Sequence, residues 1–256
     1  MTIKTPKKLL KLNPKSSGRN SSGKITVRHR GGRQKRFLRQ IDWKRNIFDI
    51  PAKVVSIEYD PNRTADIALL VYANGQKSFI LAPIDLKVGD QVISSETAEI
   101  KPGNSCLLKN IPVGIAIHNL EIRPGKGAQI VRSAGNHALI QSKEEGKILV
   151  KLPSGEIRLF KPDARATIGS LSNVEHKQEK LGKAGRKRHM GFRPTVRGTA
   201  QHPDSHPHGG GEGRSGVGMK HPKTPWGKPA RGKKTRKKKK YSNKLIIRDR
   251  RKRNRA

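Results

Sequence analysis

Cysteine is nearly absent: Cys106 is the only one in 256 residues. No disulfide can close within the chain and no cysteine-based zinc site can form. Followed by Leu107 and Leu108, Cys106 reads as a small buried hydrophobe rather than a nucleophile. Aromatics are scarce at 4%, and hydrophobic residues reach only 32%. That is too little apolar mass for a single large core, but enough for two small β-domains with tails. The longest aliphatic run, residues 67–73, is far below the ~20 residues of a membrane-spanning helix. No apolar stretch follows the basic start, so no secretory leader is expected. A soluble protein of a reducing compartment is the expectation.

Acidic residues are also few, 19 against 57 Lys and Arg, for a net charge of +38. A polyanion partner is required, and nucleic acid is the first candidate. A membrane surface is the weaker one, because no basic amphipathic helix is visible. The distribution says more than the total. Residues 1–45 carry a net +14, residues 46–182 only +2, and residues 183–256 carry +22. A nearly neutral centre therefore bears two basic arms, which phosphates would hold in place.

The centre has β texture. Runs at 37–42, 52–60, 66–73 and 76–82 are β-branched or aliphatic and bounded by turn residues. Asn74-Gly75 between two such runs is the strongest hairpin signal in the chain. Five strands of this length suggest a small closed barrel, with the OB-fold as the natural choice. The texture resumes at 112–122, 128–132, 137–141, 147–152 and 156–160, with Pro153-Ser154-Gly155 as a hairpin turn. These residues point to a second small barrel or sandwich. Residues 180–188 read as a short helix or turn. The end of the chain, 231–256, is almost pure charge, with basic blocks at 237–240 and 250–253, and is expected to stay disordered without a polyanion.

One stretch, residues 191–227, fits neither description: GFRPTVRGTAQHPDSHPHGGGEGRSGVGMKHPKTPWG. It has no periodicity and few aliphatics, so it cannot form its own core. Yet it holds Trp226, Phe192 and four histidines, unlike a solvating tail. It reads as a segment that folds against an anionic partner through Arg193, Arg197, Arg214, Lys220 and Lys223. Gly209, Gly210 and Gly211 permit close backbone approach. Trp226 reads as a stacking anchor. His206 and His208, with Asp204 and Glu212, form the one cluster that could tempt a catalytic or metal reading. A third fixed metal ligand is not evident. Hydrogen bonding to phosphate or 2′-OH, or stacking on bases, suits the imidazoles better. The glycines of 18–24 fit most of a phosphate-loop pattern, but Ile25 stands where Ser or Thr would hold Mg²⁺.

RPTVRGTA, then HPHGGGEG at 206–213, then KHPKTPWG at 220–227 resemble the signature of the universal large-subunit ribosomal protein family "L-two", bacterial type. The resemblance runs from about Ser17 to the C-terminus. GRNSSGKITVRHRGG resembles the family's N-terminal RNA-contact segment, with Arg33-Gln34 in place of its usual Gly-His. The chain starts late relative to the family's longer basic N-terminal region.

The resemblance implies an all-β chain, an OB-fold barrel followed by an SH3-like barrel, with extended basic N- and C-terminal arms. The expected division is a basic arm at 1–36, the OB-fold-like barrel at 37–100, the SH3-like barrel at 101–182 and an RNA-binding region at 183–256. Expected RNA contacts in the N-terminal arm are Arg19, Asn20, Arg28, His29 and Arg30. Those of the C-terminal region are Arg193, Arg197, His206, His208, Gly209, Gly210, Gly211, Glu212, Arg214, Lys220, His221 and Trp226. Lys233, Lys234 and Arg236 extend the set.

The implied function is a structural constituent of the large ribosomal subunit that binds its rRNA. It would support the peptidyl-transferase region, subunit association and tRNA binding. Partners would be rRNA, neighbouring ribosomal proteins and the small subunit, in a bacterial cytoplasm or in an organelle. No cofactor is expected beyond Mg²⁺ held by the RNA. The family's HPHGGGEG loop lies near the peptidyl-transferase centre, and its first histidine matches His206. The adjacent acid common in the family is displaced here to Asp204, so His206 reads as a support of RNA geometry rather than a catalyst. The rival reading is a non-ribosomal OB-fold nucleic-acid chaperone, which would need an aromatic platform on its strands.

The charge partition yields a measurable expectation. Removing residues 231–256 should flatten the log K versus log[salt] slope for an rRNA fragment by several units, at ~0.7–0.9 per lost phosphate contact. An unchanged slope would mean the tail is not on the phosphates.

Overall fold

The strand at 67–72 is apolar at nearly every position, and the computed structural model shows why. The structure describes residues 5–144 and 146–250. Strand β4 (Ile67–Tyr72) lies between β3 (Ala52–Glu58) and β5 (Lys77–Leu81) in a four-stranded antiparallel sheet, with β6 (Gln91–Val92) on the far side of β3. Alternate residues of β4 enter two different cores. Ala68, Leu70 and Tyr72 pack with Ala52, Val54, Ile80 and Val92 inside the curled sheet. Ile67 and Leu69 face the other way and pack with Phe79, Leu81 and Leu171. A strand buried on both faces needs a continuous apolar run, not an alternating one. Truncating Leu70 to Ala should cost about 2–5 kcal/mol.

The Asn74-Gly75 hairpin forms as expected: Gly75 sits at φ +78, and Tyr72 and Gln76 close the turn. A register shift between Val54 and Ser56 bends β3 and helps the sheet curl. A separate two-stranded ribbon pairs β1 (Leu10–Leu12) with β2 (Phe37–Arg39).

The second sheet has the order β13-β11-β10-β9-β8-β12-β7. Its members are β7 (Ser105–Leu107), β8 (Ala116–His118), β9 (Ala138–Glu144), β10 (Lys147–Lys151), β11 (Ile157–Phe160), β12 (Arg165–Ile168) and β13 (Ile246–Arg248). It wraps around a core that includes Leu108, Ile117, Leu120, Ile140, Ile148, Val150 and Cys106. Burial pushes the Cys106 thiol up to about 11, while Arg165 and Lys143 pull it partly back. The fold is all-β, an OB-fold-like curled sheet followed by an SH3-like one. No helix of the described residues is long and apolar enough to cross a membrane.

Several sequence expectations change. The strand expected at 112–122 shortens to Ala116–His118, and the run at 37–42 gives Phe37–Arg39, which pairs with β1 outside the four-stranded sheet. Residues 128–132 do not form a strand; they make one isolated bridge, Leu120 to Ile130, because Val131 adopts φ +57 and breaks the ladder. The charged end of the chain is not wholly irregular either. Leu245, Ile246 and Ile247 interrupt the basic run, and β13 pairs with β11 at the sheet edge. A deletion of 231–256 therefore also removes a strand, and changing Lys237, Lys238, Lys239 and Lys240 to Gln tests the charge alone. Of the basic block at 250–253, residues 251–253 lie outside the described residues.

By contacts the chain divides into two units. One holds residues 1–13, 35–180 and 241–256, and so contains all three sheets. The other holds 14–34 and 181–240. Within the first, polar groups tie the sheets together. Ser172 Oγ accepts from the Asp66 N–H, Thr64 Oγ1 accepts from the Ala134 N–H, and Asn173 donates to the Thr64 carbonyl. Buried Glu121 accepts from the N–H groups of Gly125, Gly127 and Arg165, which pins the 123–127 turn to β12.

His118 is fully buried, and its Nδ1 donates to the Gly169 carbonyl at 2.8 Å. Burial pushes its pKa down to about 4, with nearby Arg45 adding to the fall and the Gly169 bond opposing it. The folded state thus refuses a proton that the unfolded chain accepts. This stabilisation is complete above the ordinary histidine value near 6.5 and is lost as pH falls towards 4. The expected loss across that window is about 3 kcal/mol. Urea unfolding of wild type and His118→Asn from pH 7 to pH 4.5 measures it. The variant, which keeps a donor for Gly169, should show the flatter profile; parallel profiles would contradict the assignment.

Candidate nucleic-acid interface

The unit made of residues 14–34 and 181–240 contributes nothing to the three hydrophobic clusters. Its shape comes from backbone hydrogen bonds between stretches far apart in sequence. Gly31 N–H donates to Gly191, Arg193 N–H to His29 and Gln34 N–H to His189. Arg30 and Phe192 sit opposite each other in a bridge. The short helix α1 (Ala184–His189) leads into this pairing, its last turn filled with cations that suit a helix C-terminus.

The pairing builds a cleft of about 390 Å³. Arg19, Arg28, His29, Arg30 and Arg193 line it, with Ile25 and Val27 as the apolar wall. The Arg30 guanidinium lies 4.0 Å from the Phe192 ring centre, and Arg28 lies 5.9 Å from that of Trp226. His29 Nδ1 is 3.1 Å from the Pro194 carbonyl, which orients the ring. Four guanidinium groups around one cleft, two of them against aromatic faces, suit phosphates in bidentate fashion and base planes by stacking. Phe192 was not among the expected contacts; its place between Gly191 and Arg193 was the available signal. Asn20 does other work. Its Oδ1 accepts from the Lys24 N–H and Ser22 hydroxyl and closes the 20–24 loop.

The histidine loop is organised by its own imidazoles. His206 is buried at 8% exposure, and its Nδ1 accepts the His208 N–H at 3.1 Å. His208 Nε2 in turn accepts the Lys223 N–H at 2.9 Å, which joins HPHGGGEG to KHPKTPWG. The two rings lie 4.8 Å apart. Both acceptor bonds need the nitrogen concerned to be unprotonated. Asp204 pairs with His202, at 3.2 Å, and not with His206. The close approaches expected of the glycines are made within the chain. A Cβ on Gly198 would stand 2.5 Å from the His206 ring, and one on Gly209 would stand 2.4 Å from the Gln201 carbonyl oxygen. Gly210 and Gly211 are similarly closed by Pro203 and Ser215. The Glu212 carbonyl receives the Ser215 hydroxyl.

Arg197, Arg214, Lys220, His221, Lys233, Lys234 and Arg236 are exposed, and Trp226 is 72% exposed. None of these lines the cleft. Among the described residues, no three His, Cys, Asp or Glu side chains converge as metal ligands would.

Comparison with known families agrees with this picture. The family model for the C-terminal domain of ribosomal proteins L2 matches residues 101–227. The model for the RNA binding N-terminal domain of the same family matches residues 6–94. Together they take in both curled sheets apart from β13, the arginine cleft and the histidine loop. The chain therefore belongs to the ribosomal protein L2 family and is a structural protein of the large ribosomal subunit that binds rRNA.

Proposed function

We propose that the arginine cleft and the histidine loop are the surfaces that grip large-subunit rRNA, and that the loop shapes RNA of the peptidyl-transferase region without taking part in the chemistry. The convergence of Arg19, Arg28, Arg30 and Arg193 on one cleft carries the first half. The second half rests on the structural bond that each imidazole makes and on the place of the loop carboxylate. His206 Nδ1 and His208 Nε2 are each occupied by a backbone N–H, and the nearest loop carboxylate, Asp204, sits on His202. A general acid–base imidazole needs a group such as a carboxylate to orient it, and Asp204 is not on His206. A shape-setting residue needs only its bonds.

On this reading the exposed Arg197, Arg214, Lys220, His221, Lys233, Lys234 and Arg236 follow the phosphate backbone, and Trp226 offers a stacking face. Any Mg²⁺ nearby is held by the RNA. Subunit association and tRNA binding are supported through the RNA so ordered, beside neighbouring proteins and the small subunit. The family signature of bacterial type favours a ribosome of a bacterium or an organelle.

Single-turnover peptidyl transfer in purified, protein-complete subunits tests the loop. His206→Asn places an amide oxygen where Nδ1 accepts, cannot titrate, and should stay within about tenfold of wild type. A loss beyond ~10²-fold in complete subunits, the lower range for a general acid–base, would overturn the structural role. Gly198→Val should do more damage, visible as incomplete assembly, because its side chain displaces the His206 ring. For the cleft, Arg30→Ala and Arg193→Ala should each lower the salt slope of rRNA binding by about one unit. Slopes equal to wild type would remove the cleft from the interface.

A further inference from the structure

Val131 is a β-branched residue at φ +57, a conformation such side chains rarely adopt. Strain of this kind persists where the surroundings enforce it and gathers at binding sites. Here its local effect is plain. The Val131 side chain stays in the core at 9% exposure, its carbonyl accepts the Asn119 N–H, and the chain turns so that Arg132 leaves the sheet. The Arg132 guanidinium then lies 4.7 Å from the centre of the Trp43 ring, which also carries Arg63 at 5.4 Å. Trp43 is itself clamped, since its carbonyl accepts the Ala128 N–H and Gly127 abuts that same carbonyl.

Beside Arg132 lies a cleft of about 240 Å³, between residues 130–136 and the hairpin turn at 152–154. Ile130, Leu152 and Pro153 give it apolar walls, and Ser133, Asn136 and Ser154 give it polar edges. Pockets for drug-sized ligands run to ~300–1,000 Å³, so this one suits a smaller group. Apolar walls, an amide that can both donate and accept, and a lining arginine, Arg132, match one chemistry: a flat heterocycle attached to a phosphate. An unstacked RNA base is recognised in this way.

We propose that this cleft takes one unstacked nucleobase of the large-subunit rRNA. The ring lies against Ile130, Leu152 and Pro153, its edge meets Asn136 and Ser133, and its phosphate meets Arg132. The proposal rests on the rRNA-binding function, but it names residues other than those of the arginine cleft and histidine loop. It also gives the strained Val131 a purpose, because a regular strand over 128–132 would not turn Arg132 out beside the cleft.

Chemical probing of base edges in rRNA bound to the full-length protein tests this, with Ser154→Trp to plug the cleft and Asn136→Ala to remove the edge contact. Wild type should protect one unpaired base that regains reactivity in both variant complexes, with the rest of the footprint retained. Affinity should fall about tenfold, the scale of one lost stacked base, and the Ser154→Trp salt slope should not change. Arg132→Ala should weaken binding and lower that slope by about one unit. If Ser154→Trp does not fold, Asn136→Ala decides alone. A footprint identical to wild type in the folded variants overturns the proposal and leaves rRNA binding intact. A wild-type protein that gives no footprint overturns both.

Discussion

The fold depends on β4 being buried on both faces. Ile67 and Leu69 serve one core while Ala68, Leu70 and Tyr72 serve the other. Each large side chain removed from water stabilises the fold by roughly 1.5–3 kcal/mol, so this single strand binds the curled first sheet to Leu171 beyond the second. The buried polar links follow from that contact. With Leu171 seated among Phe79 and Leu81, Ser172 and Asn173 fall within reach of Asp66 and Thr64. Glu121 performs a related service by holding the 123–127 turn, whose Gly127 lies on the Trp43 carbonyl.

The unit made of residues 14–34 and 181–240 follows another rule. It has no share in a hydrophobic cluster and carries much of the positive charge, so neither burial nor self-attraction can hold it. Hydrogen bonds between backbone groups and imidazole nitrogens define its shape instead. Such bonds contribute only about 0.5–1.5 kcal/mol each. Like charges at this density repel, and phosphates relieve that repulsion. On the proposed reading the shape and the ligand are coupled: a polyanion bound at the cleft would stabilise the arrangement that brings four arginines to it.

Much of the fold was legible in the residues. Asn74-Gly75 announced its hairpin, Pro153-Ser154-Gly155 announced another, and Cys106 ahead of two leucines was read as core. The exceptions have physical causes. The pattern at 128–132 is β-branched and aliphatic, and nothing in it signals a left-handed valine; only neighbours that bury Val131 while releasing Arg132 impose it. β13 was hidden because three aliphatic residues within a block of charge are a weak local signal. They acquire meaning only through the free edge of β11. The glycines of the histidine loop suggested close approach, and within the chain the room a side chain would need there is taken by Gln201, Pro203 and Ser215.

The sequence by itself determined the class of partner, the all-β character, the family and the loop worth attention. These depend on composition, charge and ordered motifs, which survive without coordinates. Tertiary structure alone decided which arginines act together, since residues 19–30 and 193 meet only through bonds such as Gly31 to Gly191. It alone decided that His206 is an acceptor inside its own loop and that Arg132 rests on Trp43. The reason is distance along the chain. Charge and periodicity are local or additive quantities, whereas a cleft is a coincidence of residues more than a hundred positions apart, and only the folded backbone brings them together.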